Sequence, residues 1–140
     1  MHTYKDRTSR EIHDVARSLI SSKQFKCART LLEECLEMRN HDLQSGGGFA
    51  ADLSIIHHDL AKTLNAIASE LPNPSINELV EYHQLSSWNF YQAYLLRSMI
   101  FGPGHSLTVE TRHGFDFSRK TLALLQSIDH SNRIDPAPAA

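Results

Sequence analysis

The 140-residue sequence has no long hydrophobic run, only two cysteines and no surplus of either charge. No apolar stretch approaches the roughly 18–20 residues of a membrane span, so no membrane-spanning segment is expected. Fourteen Lys and Arg stand against sixteen Asp and Glu, a formal net charge of −2. Neutralising a phosphate backbone needs a basic surplus, so nucleic acid is not an expected partner. Strand signals are missing too: no alternating run of Val, Ile and Thr is bounded by turn residues. The segment Met1–Arg7 offers no apolar stretch for a signal peptide. The expected location is therefore intracellular, cytoplasmic or nuclear.

Motifs that carry chemistry are equally scarce. Cys27 and Cys35 lie eight residues apart on one expected helix, about 12 Å of rise, too far for a disulfide. No Cys-x-x-Cys exists, and both thiols are expected to be buried as small hydrophobes. Gly46-Gly47-Gly48 is followed by no Gly-Lys-Ser/Thr, so it is a linker and not a phosphate loop. There is no Gly-x-Ser-x-Gly elbow and no His-Glu-x-x-His, so no catalytic residues are expected. Glu33, Glu34 and Glu37 fit an exposed acidic helix face. Nine histidines invite a metal reading. His57-His58-Asp59 are adjacent, not three or four apart, and His105 and His113 are eight apart. No metal or other cofactor is therefore expected, and a metal-dependent enzyme remains only as an alternative.

What the chain does have is a globular balance, 41% hydrophobic and 21% charged residues. That predicts one domain over 9–130, with flexible ends at 1–8 and 131–140. Almost all of it follows a helical period. Thr8 with Glu11 resembles a capping box and starts a helix near residue 9, with Ile12, Val15, Ala16, Leu19 and Ile20 as its apolar stripe. A second helix follows Ser21-Ser22 and runs to about Asn40-His41, with Phe25, Ala28, Leu31, Leu32, Cys35, Leu36 and Met38 inward. A loop is expected over 42–49. A third helix covers about 50–71, with Leu53, Ile56, Leu60, Leu64, Ile67, Ala68 and Leu71 in period. Pro72-Asn73-Pro74 stops it. Ser75 with Glu78 caps a fourth helix that ends at Gly102-Pro103-Gly104. A last helical stretch runs from His105-Ser106 to about 129, and Gly114 either breaks it or is absorbed. The fold class expected is all-α, about five antiparallel helices in hairpins with a capping C-terminal helix.

The first hairpin resembles a tetratricopeptide repeat. Ile12, Val15, Ala16 and Leu19 match the first-helix pattern, and Ala28, Leu32 and Cys35 match the second. Phe25 stands three residues before Ala28, as in the family's turn. In the second hairpin His57, Leu60, Ala61 and Leu64 match the first-helix pattern. The stretch Ala93–His105, ending Gly102-Pro103-Gly104-His105, resembles the junction of kinesin light chain-type repeats. It also resembles the C-terminal helical domain of SET- and MYND-domain methyltransferases. Ser106 stands where proline is usual, and no catalytic SET segment is present.

The resemblance implies a protein-binding surface lined by first helices. On it would lie Arg10, His13, Asp14 and Arg17, with His58, Lys62 and Asn65 on the third helix. Arg10 and Arg17, two turns apart, could grip an acidic peptide by bidentate pairing. The asparagine used by the family's chaperone-tail binders is missing from the first hairpin. Charge along the chain is polarised: residues 1–30 carry a net +4 and residues 31–81 a net −7. The apolar residues from Tyr82 to Phe101 surround their helix instead of forming one stripe. Among them Trp88, Tyr91 and Tyr94 are either core or an aromatic interface. The expected function is a non-catalytic adaptor or scaffold that binds a peptide or helix of a partner protein, with a second copy of the chain as another partner. The alternatives are an accessory subunit of a larger enzyme and a chaperone for a disordered client segment.

Overall fold

A computed structural model of the chain describes residues 8–44 and 50–133, with side chains over 8–41 and 50–128. Among them the chain forms five helices and no strand: α1 (Ser9–Ser21), α2 (Phe25–Gln44), α3 (Ala50–Glu70), α4 (Ile76–Phe101) and α5 (Ser106–Arg133). Each helix packs on its neighbours in sequence, and α3 also touches α5. This all-α arrangement is compatible with helical hairpin repeats. None of these helices is long and apolar enough to cross a membrane.

The helix ends follow from local chemistry. The Thr8 hydroxyl accepts from the Glu11 N–H and donates to Glu11 Oε1, satisfying an orphan donor of the first turn. α1 closes with Lys23 N–H on the Ile20 carbonyl and Gln24 N–H on the Leu19 carbonyl. Lys23 has φ 61° there, a left-handed position where glycine is commoner. At α4 the capping box is complete, with Ser75 and Glu78 each bonding the other's backbone N–H. His105 accepts from the Leu107 N–H and so caps α5, while its ring stacks on Phe101.

α2 continues to Gln44, so residues 42–44 of the expected loop are helical. The glycine run and the rest of that loop lie outside the described residues, as do 1–7 and 134–140 of the expected flexible ends. Val15, expected inward, is exposed, since no described element covers that side of α1. Cys27, expected to be buried, is exposed beside Ala28, which makes the close contact. Cys35 is buried as expected, its thiol donating to the Ser9 carbonyl. Burial pushes that thiol up to about 11, which keeps it protonated and unreactive at neutral pH.

Two kinds of seam hold the helices. Ile12, Ala16, Leu32, Cys35, Ile56, Leu60 and Leu64 form an apolar core where α1, α2 and α3 meet. The α3–α4–α5 seam is mixed. Phe90 and Ala93 are buried there with Ser86, Asn89, Arg97, Thr108, Thr111 and Ser118. α5 runs unbroken across Gly114, which faces the edge of the Phe90 ring. A Cβ at that position would lie 2.6 Å from Phe90 Cζ, well inside contact distance. Gly114→Ala is therefore expected to lower stability by about 1–3 kcal/mol through overpacking, despite alanine's better helix propensity. Gly104→Ala, with open space around the new methyl, should change little. Urea unfolding of the two variants checks this, and a Gly114→Ala variant as stable as the parent refutes it.

Candidate functional site

α3 is the helix on which polar side chains converge. Its Asp59 carboxylate lies 2.7 Å from His13 Nε2 and accepts from Arg17 Nε at 3.1 Å, tying α3 to α1. Burial alone would raise the Asp59 pKa. The His13 and Arg17 hydrogen bonds and the Arg17 charge outweigh it and hold the carboxyl below its ordinary range. The next residue back, His58, turns to α5. Its Nδ1 meets Thr111 Oγ1 and its Nε2 meets Glu110 Oε1, both at 3.1 Å. Arg97 of α4 reaches the same place. Its Nη1 donates to Thr111 Oγ1 at 2.7 Å and to the Leu107 carbonyl at 3.1 Å.

These groups lock α3 to α1 and α5, with Arg97 of α4 joining the same set. Both His58 ring nitrogens are engaged within the protein. His57 Nδ1 is likewise held by Asn89 Oδ1 at 2.8 Å. Asn65 donates to Ser118 Oγ, which shares a hydrogen bond with Ser86, and Ser86 reaches the Ala61 carbonyl. Removing one member of a buried hydrogen bond to a charged group, like Arg97 with Thr111, costs about 1.5–3 kcal/mol. Among the described residues no three His, Cys, Asp or Glu side chains gather as a metal-binding set.

The structure therefore separates the residues expected on one binding face. His13 and Arg17 serve the α1–α3 tie, Arg17 keeping about half of its side chain in solvent. His58 and Asn65 are spent on bonds to α5, whereas Arg10, Asp14 and Lys62 are exposed there with no hydrogen bond or ion pair to another described side chain. Trp88 and Tyr91 form a separate region on α4. Trp88 is 56% exposed, Tyr91 is exposed, and Tyr94 is half-buried.

Trp88 and Tyr91 border a groove of about 830 Å³ between α4 and α5, with Phe115, Arg119, Lys120 and Leu122 across from them. Tyr91 and Phe115 pack at 5.5 Å between centroids, and the Arg119 guanidinium lies 5.6 Å from the Phe115 centroid. Trp88 makes an edge contact with the His57 ring, 5.7 Å between centroids. Phe115, Arg119 and Lys120 were not singled out from the sequence. The signal was present, since all lie on one side of α5 at helical spacing, but their closeness to α4 depends on the register of the α4–α5 pair. No protein-family model, curated protein or solved structure matches the chain.

The buried histidines give the lock a pH dependence. Burial lowers the pKa of His57, His58 and His83 below 6.5, and Arg97 adds to the effect at His58. In the unfolded chain each takes up a proton as pH falls through about 6.5, while the folded protein resists. Stability should thus be flat above about pH 7 and fall from pH 6.5 towards 5, by up to about 1.4 kcal/mol per pH unit for each histidine. Asp59 has the same sign at lower pH, its contribution being lost only below its unfolded value of 3.8. Melting curves between pH 8 and 5 test this, and His83→Gln should flatten part of the slope. A melting temperature that rises below pH 6.5 would contradict it.

Proposed function

We propose that the protein is a non-catalytic protein–protein interaction module that docks a helix or peptide of a partner on the outer face of α4 and α5. The observation that carries this reading is the arrangement of α4. Its inward face holds His83, Ser86, Ser87, Asn89 and Arg97 around Phe90 and Ala93. Its outward face presents Leu85, Trp88, Leu95 and Met99 to solvent, and Phe115 and Leu122 of α5 line the groove that Trp88 borders. A helix that needed only a core would place these residues the other way round. Contiguous exposed apolar groups of this kind favour burial under a partner, and Trp and Tyr are the residue types that dominate such contacts.

Arg119 and Lys120 on the groove rim suit a ligand with an acidic flank. The sequential hairpin packing, together with the first-hairpin pattern, supports a tetratricopeptide-like reading. The proposed surface is not the first-helix side used in that family, because His13, His58 and Asn65 are engaged in internal bonds. A photo-cross-linking amino acid placed at Trp88, with Arg10 as the control position, tests the proposal in the native cell. The expected result is a discrete covalent adduct from position 88 and none from position 10. Absence of any adduct at 88 would remove the support for this surface.

A further inference from the structure

The last helix is anchored differently from the others. Among the described side chains of α5 the fully buried ones are Thr108, Thr111 and Ser118, and its apolar residues are half-buried or exposed. α1, α2 and α3 instead share Ile12, Ala16, Leu32, Cys35, Ile56, Leu60 and Leu64. What α5 buries completely is hydroxyl, so its hold depends more on hydrogen bonds than theirs does. An element with few buried apolar contacts is the one that opens locally ahead of the rest.

The bonds that hold α5 meet at the Thr111 hydroxyl. Its Oγ1 lies 2.7 Å from Arg97 Nη1, 3.1 Å from His58 Nδ1 and 3.1 Å from the Leu107 carbonyl. A hydroxyl has one proton to give and two lone pairs. Arg97 only donates, so it occupies one lone pair. Across the ring the Glu110 carboxylate only accepts, so His58 Nε2 carries the ring proton. Nδ1 of the neutral ring is then an acceptor, and the Thr111 proton goes to it. The Leu107 carbonyl keeps its bond from Arg97 Nη1. With His58 neutral, all of these atoms are paired.

A second ring proton breaks that pattern. It sits on Nδ1 and faces the Thr111 proton, so the hydroxyl must turn to the Leu107 carbonyl. Thr111 Oγ1 would then accept from two cations at once, His58 and Arg97. Among the described residues the charges that face the ring are Arg97 from α4, Glu110 from α5, and Asp59 and Lys62 from α3. α1 acts through Asp59, whose carboxylate is already shared by His13 and Arg17. Glu110 is more than half exposed, so water screens its attraction. Arg97 is 4% exposed, its Nε has no hydrogen-bond partner, and no carboxylate is in ion-pair contact with it among the described residues. The new charge would enter beside one already buried without a counter-ion.

We propose that His58 is a proton-operated latch for α5: a proton taken up at Nδ1 releases α5 from α3 and α4, while α1 to α4 stay packed. α4 keeps its own ties to α3, from Asn89 to His57 and from Ser86 to the Ala61 carbonyl. Above about pH 7 the ring is neutral with α5 closed or open, and the latch holds in full. Burial, and after it Arg97, keep the closed ring from charging until below pH 6.5, whereas a ring freed by opening titrates near its ordinary value. Opening therefore takes up a proton as pH falls from 6.5, and the open form grows by up to about tenfold per pH unit. Release also dismantles the groove between α4 and α5, since Phe115, Arg119 and Lys120 leave with α5. An effect on docking rests on that groove being the docking surface; the latch does not.

Hydrogen–deuterium exchange of the full chain between pH 8 and 5, corrected for the intrinsic effect of pH on exchange, tests the proposal. Below pH 6.5 the amides of 108–128 should lose protection by up to about tenfold per pH unit, while those of 56–64 keep theirs. His58→Gln should remove this slope, even if α5 is less protected at pH 8. Histidine-labelled NMR of the unaltered protein gives a second readout that needs no variant. At pH 8 the His58 ring should be the Nε2–H tautomer, and its titration should have a midpoint below 6.5. An Nδ1–H tautomer, α5 protection that is constant down to pH 5, a loss shared equally by all the helices, or a slope that survives His58→Gln overturns the latch. If α5 opens as expected but the adduct at position 88 persists at pH 5, the latch stands and the groove is not the docking surface.

Discussion

Two consecutive residues on α3 hold the first and last helices in place. Asp59 receives His13 and Arg17 from α1, and His58 receives Glu110 and Thr111 from α5. Neighbouring positions on a helix point about 100° apart, so one step of α3 can face two directions at once. The other interactions presuppose this step. α2 and α4 fill the spaces beside it, and Arg97 is tolerated in the interior because Thr111 and the Leu107 carbonyl are already positioned there. The apolar core on one side of α3 provides adhesion, while the hydrogen-bonded seam on the other provides specificity of register.

Much of the fold was legible in the sequence, for identifiable reasons. The capping pairs Thr8/Glu11 and Ser75/Glu78, the proline stop at 72–74 and the glycine at 102 act through backbone bonds within a few residues. Local reading therefore suffices for them. The apolar positions of α2 and α3 also follow from periodicity, because both helices bury a face in a conventional core. Gly114 could not be settled that way. Whether it breaks a helix depends on Phe90, twenty-four residues earlier, whose ring takes the space a side chain would need.

The site was less legible. A sequence pattern can place Arg10, His13, Arg17, His58, Lys62 and Asn65 on matching helix faces. It cannot reveal that Asp59, Ser118 and Glu110 already bind four of them. The aromatic residues of α4 illustrate the reverse. Their excess was visible, but its sidedness was not, because serine, asparagine, histidine and arginine occupy inward positions that hydropathy assigns to the surface. Only the three-dimensional partners of those polar groups show that the helix faces the way it does. The outcome is a helix, α4, whose buried face is largely polar and whose exposed face is largely apolar.

The sequential pairing of the helices has a kinetic consequence. Since α1 meets α2, α2 meets α3, α3 meets α4 and α4 meets α5, most contacts join residues close along the chain. Loop-closure entropy is then small at every stage, and chains of this kind fold within microseconds to milliseconds. Among the hydrogen bonds, those that span the greatest sequence distance, His58 to Thr111 and Asn65 to Ser118, each join residues 53 apart and tie α3 to α5. Loop-closure entropy favours forming such latches after the local hairpins. Force applied at the two ends would meet those latches first, and once they gave way the hairpins would peel off in turn.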